Sequence, residues 1–143
     1  MPQPIAYSDD RFAGRKILLV EDEPFVREAT CNILQSAGFA VVPAADAAEA
    51  VRAYEGAQAI DLVMTDLVLP GRTGQQLGED LRRRSPHLKI LVTSGYGDAE
   101  GENEDPATDT YFLAKPYSRR SLVEKIEGIL GAKKNCAVTT QAS

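Results

Sequence analysis

The chain has 143 residues, 43% of them hydrophobic, and a formal net charge of −5 at pH 7. This length and composition are typical of one soluble globular domain, and the negative charge argues against sequence-independent binding to nucleic acid, because few cations remain to neutralise phosphates. No apolar stretch approaches the roughly 20 residues of a membrane span, and the N-terminus lacks the regions of a secretory signal, so we expect a cytoplasmic protein.

The two ends of the chain lack the periodicity of regular structure. Residues 1–14 have no apolar repeat and contain prolines and adjacent aspartates, and we interpret them as a flexible leader. Residues 132–143 are polar and are interpreted as a disordered tail. The folded domain is therefore expected at residues 15–131.

Strand and helix patterns alternate between these ends. The predicted strands are 16–20, 40–44, 61–66, 89–94 and 111–114, and the predicted helices are about 24–37, 47–54, 74–84 and 119–130. This alternation indicates an α/β fold in which a parallel sheet is covered on both faces. A further helix is expected at 97–109, but this acidic segment has almost no apolar face, so we predict a weak or irregular helix there.

The first predicted helix has a start signal, a stop signal and an apolar stripe. Pro24 suits its first turn, and Gly38 ends it. The apolar positions that recur at helical spacing, and that we expect to face the core, are Phe25, Ala29, Ile33 and Leu34, with Val26, Thr30 and Ala37 beside them. The last helix is expected to begin after an N-cap at Ser118, and its buried stripe is Leu122, Ile126, Ile129 and Leu130.

Reactive side chains follow the ends of four predicted strands. These side chains are Glu21 and Asp22, Asp66, Ser94, and Lys115. The carboxyl ends of parallel strands lie along one edge of a sheet, where open α/β sheets bind ligands. Each residue alone is more often a turn or cap residue, but the coincidence of all four strand ends favours a site.

The cluster suits phosphoryl transfer to a carboxylate. Asp66 is the expected nucleophile, because a carboxylate can attack phosphorus and form an acyl phosphate. Mg²⁺ takes one or two carboxylates together with phosphate oxygens, so Glu21 and Asp22 would supply ligands and the backbone carbonyl of Val68 could complete the shell. Lys115 would place its ammonium against a phosphoryl oxygen or Asp66.

The ordered motifs resemble the receiver domain of two-component response regulators over about residues 15–131. They are ILLVEDE at 17–23, Asp66 followed by Pro70 and Gly74, VTSGY at 92–96, and FLAKPY at 112–117. The resemblance is closest to receivers that stand alone or are appended to hybrid histidine kinases.

The resemblance implies a flavodoxin-like, doubly wound (βα)5 fold whose five parallel strands lie in the order 2-1-3-4-5. It implies that a histidine kinase or a histidine phosphotransfer protein phosphorylates Asp66 with Mg²⁺. Asp22 would ligate this Mg²⁺ directly, and Glu21 would act through a metal-bound water. The protein would be a phosphoacceptor signalling domain and not an enzyme, acting as a monomer or weak dimer.

The resemblance also implies a switch. Thr93 and Ser94 are both candidates for its hydroxyl, and Ser94 followed by Gly95 fits the family pattern better. The phosphoryl group would draw Ser94 inward, and Phe112 would rotate into the vacated space. The surface of the weak fourth helix, the fifth strand and the last helix would then change its affinity for a downstream partner. The Lys115–Pro116 peptide is expected to be cis.

Alternative interpretations belong to other classes. A phosphatase of the haloacid dehalogenase type would need a second aspartate at the position of Val68, and a flavin binder would need a phosphate loop where Glu21 and Asp22 stand. An inactive scaffold is disfavoured because every site residue is present. A further alternative is the excised C-terminal receiver of a hybrid histidine kinase that relays phosphate onward.

Overall fold

The fold was analysed in a computed structural model that describes residues 14–57, 59–95 and 109–142, with side chains to residue 131. Its strands are β1 (Lys16–Val20), β2 (Ala40–Ala44), β3 (Leu62–Asp66), β4 (Val68–Leu69), β5 (Arg72–Thr73), β6 (Lys89–Ser94) and β7 (Thr110–Ala114). Its helices are α1 (Pro24–Ser36), α2 (Ala47–Gly56), α3 (Gly74–Arg82) and α4 (Arg119–Ala142). The predicted leader, up to residue 13, and the predicted weak helix, up to residue 108, lie outside the described residues.

Five strands form one parallel sheet in the order β2-β1-β3-β6-β7. These are the five predicted strands, and their order is the predicted 2-1-3-4-5. The α/β class and the doubly wound topology are therefore confirmed. Pro43 lies in β2, at the edge of the sheet, where a residue without an N–H is tolerated.

Apolar side chains alternate between the two faces of the sheet and form two cores. One core joins the sheet to α1 and α4, and its members include Ile17, Leu19, Leu34, Met64, Leu91, Tyr111, Leu122, Ile126 and Ile129. The other joins the sheet to α2 and α3, and its members include Leu18, Val20, Ala47, Val63, Leu77, Leu81, Ile90 and Val92. Because both faces are covered, the central strands are buried along their length.

The predicted core stripe of α1 is wrong at two positions. Phe25 is 82% exposed and Ala29 is also exposed, whereas Thr30 and Leu34 are the buried residues of this helix. The buried face is thus turned by about one residue from the one that the apolar spacing indicated. A polar residue, Thr30, takes a core-facing position because its hydroxyl has a partner, Tyr117.

A short antiparallel hairpin, β4–β5, was not predicted. Val68 pairs with Thr73, and Leu69 pairs with Arg72. Pro70 and Gly71 form the turn, and Gly71 adopts a φ of 83°, which is the left-handed conformation that glycine accepts without strain. The hairpin escaped prediction because strands of two residues leave no hydrophobic periodicity.

The last helix is longer than predicted. Ser118 caps it as expected, since its hydroxyl accepts from the N–H of Ser121 at 3.0 Å, and the four stripe residues are all buried. The helix continues to Ala142, whereas the prediction ended it near residue 130 and made 132–143 disordered. No proline or glycine stands between Gly131 and Ala142, so the chain contains no residue that stops a helix there.

Among the described residues, no helix combines the length and the apolar character needed to cross a bilayer.

Gly74 fixes the distance between α3 and the end of β3. Its N–H donates to the carbonyl of Leu67 at 2.7 Å. A Cβ atom at this position would overlap the carbonyl oxygen of Asp66 and would lie 3.0 Å from Cγ2 of Thr65. Only a residue without a side chain allows α3 to begin so close to Asp66.

Replacement of Gly74 by alanine is therefore expected to lower the free energy of unfolding by about 1–3 kcal/mol, since neither backbone can yield without strain. Urea denaturation measures this change. Gly128→Ala is the matched control, because Gly128 lies within α4 with open space around it. This control should raise the free energy of unfolding by about 0.5–1 kcal/mol, and a Gly74→Ala protein as stable as wild type would contradict the account.

Candidate functional site

The register of the sheet brings four predicted site positions to one edge. Val20 pairs with Thr65, so Glu21 and Asp66 follow paired residues on neighbouring strands. Asp66 pairs with Thr93 on the next strand. The N–H of Lys115 donates to the carbonyl of Ser94 at 2.8 Å.

The carboxylates of Glu21, Asp22 and Asp66 form one cluster. One oxygen from each lies within 4.8 Å of the others. Glu21 is buried, Asp66 is half-buried and Asp22 is exposed, so the cluster opens to solvent on one side. The predicted acidic cluster is thus present in the structure.

Lys115 joins the carboxylates of two strands. Its Nζ lies 3.2 Å from Oδ2 of Asp66 and 3.4 Å from Oε1 of Glu21. Burial alone would lower the pKa of Lys115, but the charges of Asp66 and Glu21 outweigh burial and raise this pKa. Lys115 is therefore a cation at neutral pH, and its charge offsets part of the repulsion within the cluster.

Ionised Glu21 carries an electrostatic cost. Burial raises the pKa of its carboxyl, although a hydrogen bond from the N–H of Glu23 and the charge of Lys115 act in the opposite direction. The hydrogen bond from Glu23 joins its N–H to Oε2 of Glu21 at 3.1 Å. The ionised form of Glu21 is thus held in place but is disfavoured by folding.

The donor set fits a hard divalent cation. All three side chains offer carboxylate oxygens, which Mg²⁺ and Ca²⁺ prefer, and the half-open cluster leaves room for water or a phosphoryl group. Val68 follows Asp66 by two residues and is exposed. Because Gly74 donates to Leu67, Val68 and Thr73 form a non-hydrogen-bonded pair, and the Val68 carbonyl points away from its partner strand.

Ser94 and Phe112 lie on the face of the sheet that α2 and α3 cover. Ser94 is the residue after Thr93 on β6, and Phe112 pairs with Val92. Strand alternation places Ser94, Val92 and Phe112 on the α2–α3 face, and Phe112 packs against that core. The Ser94 hydroxyl is fully buried and has no hydrogen-bond partner in the described part of the chain.

Two contacts of α1 at the site were not predicted from the sequence. Nη1 of Arg27 donates to the carbonyl of Glu21 at 2.8 Å. The hydroxyls of Thr30 and Tyr117 share a hydrogen bond at 3.4 Å. Arg27 and Thr30 are about one helical turn apart, so the sequence places them on one face of α1. The sequence does not show which residues contact that face. The Lys115–Pro116 peptide is cis, as expected.

The chain matches the sequence model of the response regulator receiver domain over residues 17–127. Sensor kinase CckA of Brucella abortus is 36% identical over 124 residues, which are 85% of this chain and 13% of the kinase. Response regulator protein FleR of Pseudomonas aeruginosa is 37% identical over 114 residues, 78% of this chain and 24% of FleR. The phosphate regulon transcriptional regulatory protein PhoB of Escherichia coli is 36% identical, with 82% of this chain and 52% of PhoB covered. The chain thus spans about half or less of the length of these relatives.

Solved receiver structures share the fold. The receiver domain of hybrid histidine kinase CckA is 31% identical with a TM-score of 0.67, covering 80% of this chain and 98% of that domain. A response regulator receiver protein from Sinorhizobium medicae is 29% identical with a TM-score of 0.73, covering 83% and 96%. TrrA from Thermotoga maritima, in complex with Mg²⁺-BeF, is 27% identical with a TM-score of 0.70, covering 80% and 98%.

The raised pKa of Glu21 predicts an effect of pH on stability. When folding raises the pKa of a carboxyl, the ionised carboxyl lowers the free energy of unfolding. This destabilisation disappears as the pH falls through the raised pKa, because the carboxyl of the folded protein takes up a proton. Glu21→Gln should therefore raise the free energy of unfolding at pH 7 in the presence of a chelator.

Urea denaturation between pH 4 and pH 7 measures this difference. The gain from Glu21→Gln should shrink as the pH falls, because the wild-type carboxyl takes up a proton. Glu79→Gln, on the exposed surface of α3, is the control and should show little gain. A Glu21→Gln protein less stable than wild type at pH 7 would contradict the account.

Proposed function

Because this chain belongs to the response regulator receiver domain family, we propose that Asp66 accepts a phosphoryl group from a histidine kinase or a histidine phosphotransfer protein. Receiver domains are regulatory signalling domains of two-component systems. In this proposal the chain catalyses no reaction on another substrate, and it assists only its own phosphorylation and dephosphorylation.

One observation carries the proposal. Lys115 reaches Asp66 and Glu21 together, so an acceptor carboxylate, a second acid and a cation meet at the carboxyl edge of the sheet. If each residue only formed a turn or capped a helix, these three side chains would not need to lie in contact. Phosphoryl transfer needs little more than positioned charges of this kind.

Receiver domains bind Mg²⁺ at an acidic pocket, and the carboxylates of this chain fit that cation. Asp22 and Asp66 would hold Mg²⁺ directly, Glu21 would hold it through water, and the carbonyl of Val68 would complete the protein ligands. Bound there, Mg²⁺ would supply charge to neutralise the phosphoryl oxygens. The exposed position of Asp22 leaves the metal site open to the phosphoryl donor.

The proposed reaction exchanges one bond to phosphorus for another. A carboxylate oxygen of Asp66 bonds to the phosphorus, while the bond between phosphorus and the donor's histidine nitrogen breaks. The electron pair of that bond stays on the imidazole, and Asp66 becomes an acyl phosphate. Lys115 keeps its proton throughout, because its raised pKa favours the ammonium form, and it lies beside the incoming negative charge.

Ser94 and Phe112 are the proposed switch. The Ser94 hydroxyl is buried and has no hydrogen-bond partner among the described residues. An unsatisfied buried hydroxyl costs free energy, and a phosphoryl oxygen would offer it a hydrogen bond. Phe112 lies on the same face of the sheet and would move into the space that Ser94 leaves. The change would reach a downstream protein through β7 and α4. The predicted fourth helix, the third part of this surface, lies outside the described residues.

Exposed apolar side chains support docking of the donor beside Asp66. Phe25 and Val26 begin α1 just after Asp22, and Val68 follows Asp66 by two residues. They are the large apolar side chains that the described residues leave exposed. A kinase or phosphotransfer protein whose histidine reaches Asp66 would cover them.

The similarity to CckA favours a second role. The receiver of a hybrid histidine kinase is among the solved relatives, so the chain as an excised receiver that relays phosphate to a phosphotransfer protein is the alternative to a separate response regulator. We propose residues 15–131 as the receiver domain in either case. We also propose that it acts in the cytoplasm as a monomer or weak dimer.

Incubation with Mg²⁺ and a small acyl phosphate is expected to add one phosphoryl group to the protein, detected by intact mass. Asp66→Asn should show no adduct, because an amide is a poor nucleophile. Asp46→Asn should be modified like wild type, because Asp46 caps α2 and asparagine caps as well as aspartate.

An adduct that persists in Asp66→Asn would contradict the assignment of the acceptor. Steady release of phosphate without any adduct would instead support the phosphatase interpretation.

Ser94→Ala should weaken the proposed switch without lowering the stability of the protein. Removal of a buried hydroxyl without a partner is expected to leave the free energy of unfolding unchanged or to raise it by up to about 1 kcal/mol. The same substitution should weaken the change that phosphorylation causes in the NMR signals of ¹³C-labelled Phe112. Thr93→Val is the control for the neighbouring hydroxyl. Loss of switching in Thr93→Val but not in Ser94→Ala would show that Thr93 holds the role.

A further inference from the structure

Lys115 lies on a short connection that is fixed at three points. On one side, its own N–H donates to Ser94 on β6 at 2.8 Å. On the other side, the hydroxyl of Ser118 accepts from the N–H of Ser121 and caps α4. Between these points the hydroxyl of Tyr117 shares a hydrogen bond with Thr30 of α1.

The contact between Tyr117 and Thr30 is partly buried. Thr30 is 4% exposed, and Tyr117 packs against the core between the sheet, α1 and α4. Burial raises the pKa of the Tyr117 phenol, so the phenol stays protonated at neutral pH and can share the hydrogen bond. A buried threonine hydroxyl that lost this partner would be left unsatisfied.

The same face of α1 also holds the acidic side of the site. Arg27, one turn before Thr30, donates to the carbonyl of Glu21 at 2.8 Å. The helix therefore contacts the loop that carries Glu21 and Asp22 and, through Thr30, the connection that carries Lys115. These two contacts fix the acidic loop and the lysine relative to one another.

Lys115 needs such support, because its side chain is long and its contacts are not tight. Its ammonium lies 3.2 and 3.4 Å from its two carboxylate partners, and a lysine has four rotatable side-chain bonds that cost entropy to hold. A small shift of its backbone would move the ammonium from between the two carboxylates.

We propose that Tyr117 is a positioning residue for phosphoryl transfer: its hydrogen bond to Thr30 ties the connection that carries Lys115 to α1 and so holds the ammonium beside Asp66. This inference rests on the proposed function, because it concerns the rate of modification at Asp66. The metal ligands lie on β1 and β3 and their loops. Loss of the tie should therefore slow transfer without weakening the binding of Mg²⁺.

Tyr117→Phe removes the hydroxyl and keeps the ring. The rate of Asp66 modification by a small acyl phosphate, at saturating Mg²⁺, should fall roughly two- to tenfold, the effect of one lost hydrogen bond. The dissociation constant of Mg²⁺ should stay within about twofold of wild type. Thr30→Val should match Tyr117→Phe, Thr30→Ser should retain the rate, and the double variant Tyr117→Phe/Thr30→Val should be no slower than either single variant, because both act on one contact.

Tyr54→Phe is the matched control. The Tyr54 hydroxyl also bonds a hydroxyl, that of Ser85, but at the opposite end of the sheet, so its removal should leave the rate unchanged. An unchanged rate in Tyr117→Phe, or a loss of Mg²⁺ affinity in proportion to the loss of rate, would overturn the inference. Absence of any adduct in the wild-type protein would contradict the proposed function itself, and the inference with it.

Discussion

The carboxylates of Glu21, Asp22 and Asp66 repel one another, and the fold holds one oxygen of each within 4.8 Å of the others. The ammonium of Lys115 offsets part of this repulsion, because it contacts the carboxylates of Glu21 and Asp66. One ammonium cannot balance three carboxylates. The cluster therefore keeps a net negative charge. A divalent cation would neutralise this charge, which would otherwise repel an incoming phosphoryl group.

Hydrophobic burial is what forces the charges together. The strands that end in the site are covered on both faces, and their pairing has a single register because a shift by one residue would exchange the two faces. Val20 and Thr65 are buried partners on β1 and β3, so the residues that follow them, Glu21 and Asp66, are placed side by side whatever their charge. The core thus supplies the free energy that the unfavourable cluster costs.

The sequence predicted most of this arrangement, because the strands are apolar runs that end in the site residues themselves. The cap at Ser118 and the meeting of the acids with Lys115 followed from local pattern and parallel pairing, whereas the order of the strands was implied by the resemblance to receiver domains. Phe25 was assigned to the core because helical spacing gives a stripe but not which neighbour covers it. The tertiary structure determines which side of α1 is buried: Thr30 is buried and bonds Tyr117, whereas Phe25 is exposed.

Other features had weaker signals or none. Pro70 and Gly71 indicated a turn, but the two-residue strands beside them are too short to show a period. The close approach of Gly74 to Asp66 depends on where α3 docks, which no local pattern states. The length of α4 depends on the absence of a stop signal, whereas the prediction ended this helix at about the last residue of its apolar stripe, Leu130.

Thermal unfolding in the presence of Mg²⁺ tests the proposal that the three carboxylates form one divalent cation site. At ten times its dissociation constant, Mg²⁺ should add about 1.4 kcal/mol to the free energy of unfolding and raise the melting temperature. Asp22→Asn should lose this increase, while Asp46→Asn, which changes a carboxylate outside the cluster, should keep it. Equal shifts in all three proteins, or none in the wild type, would contradict the proposal.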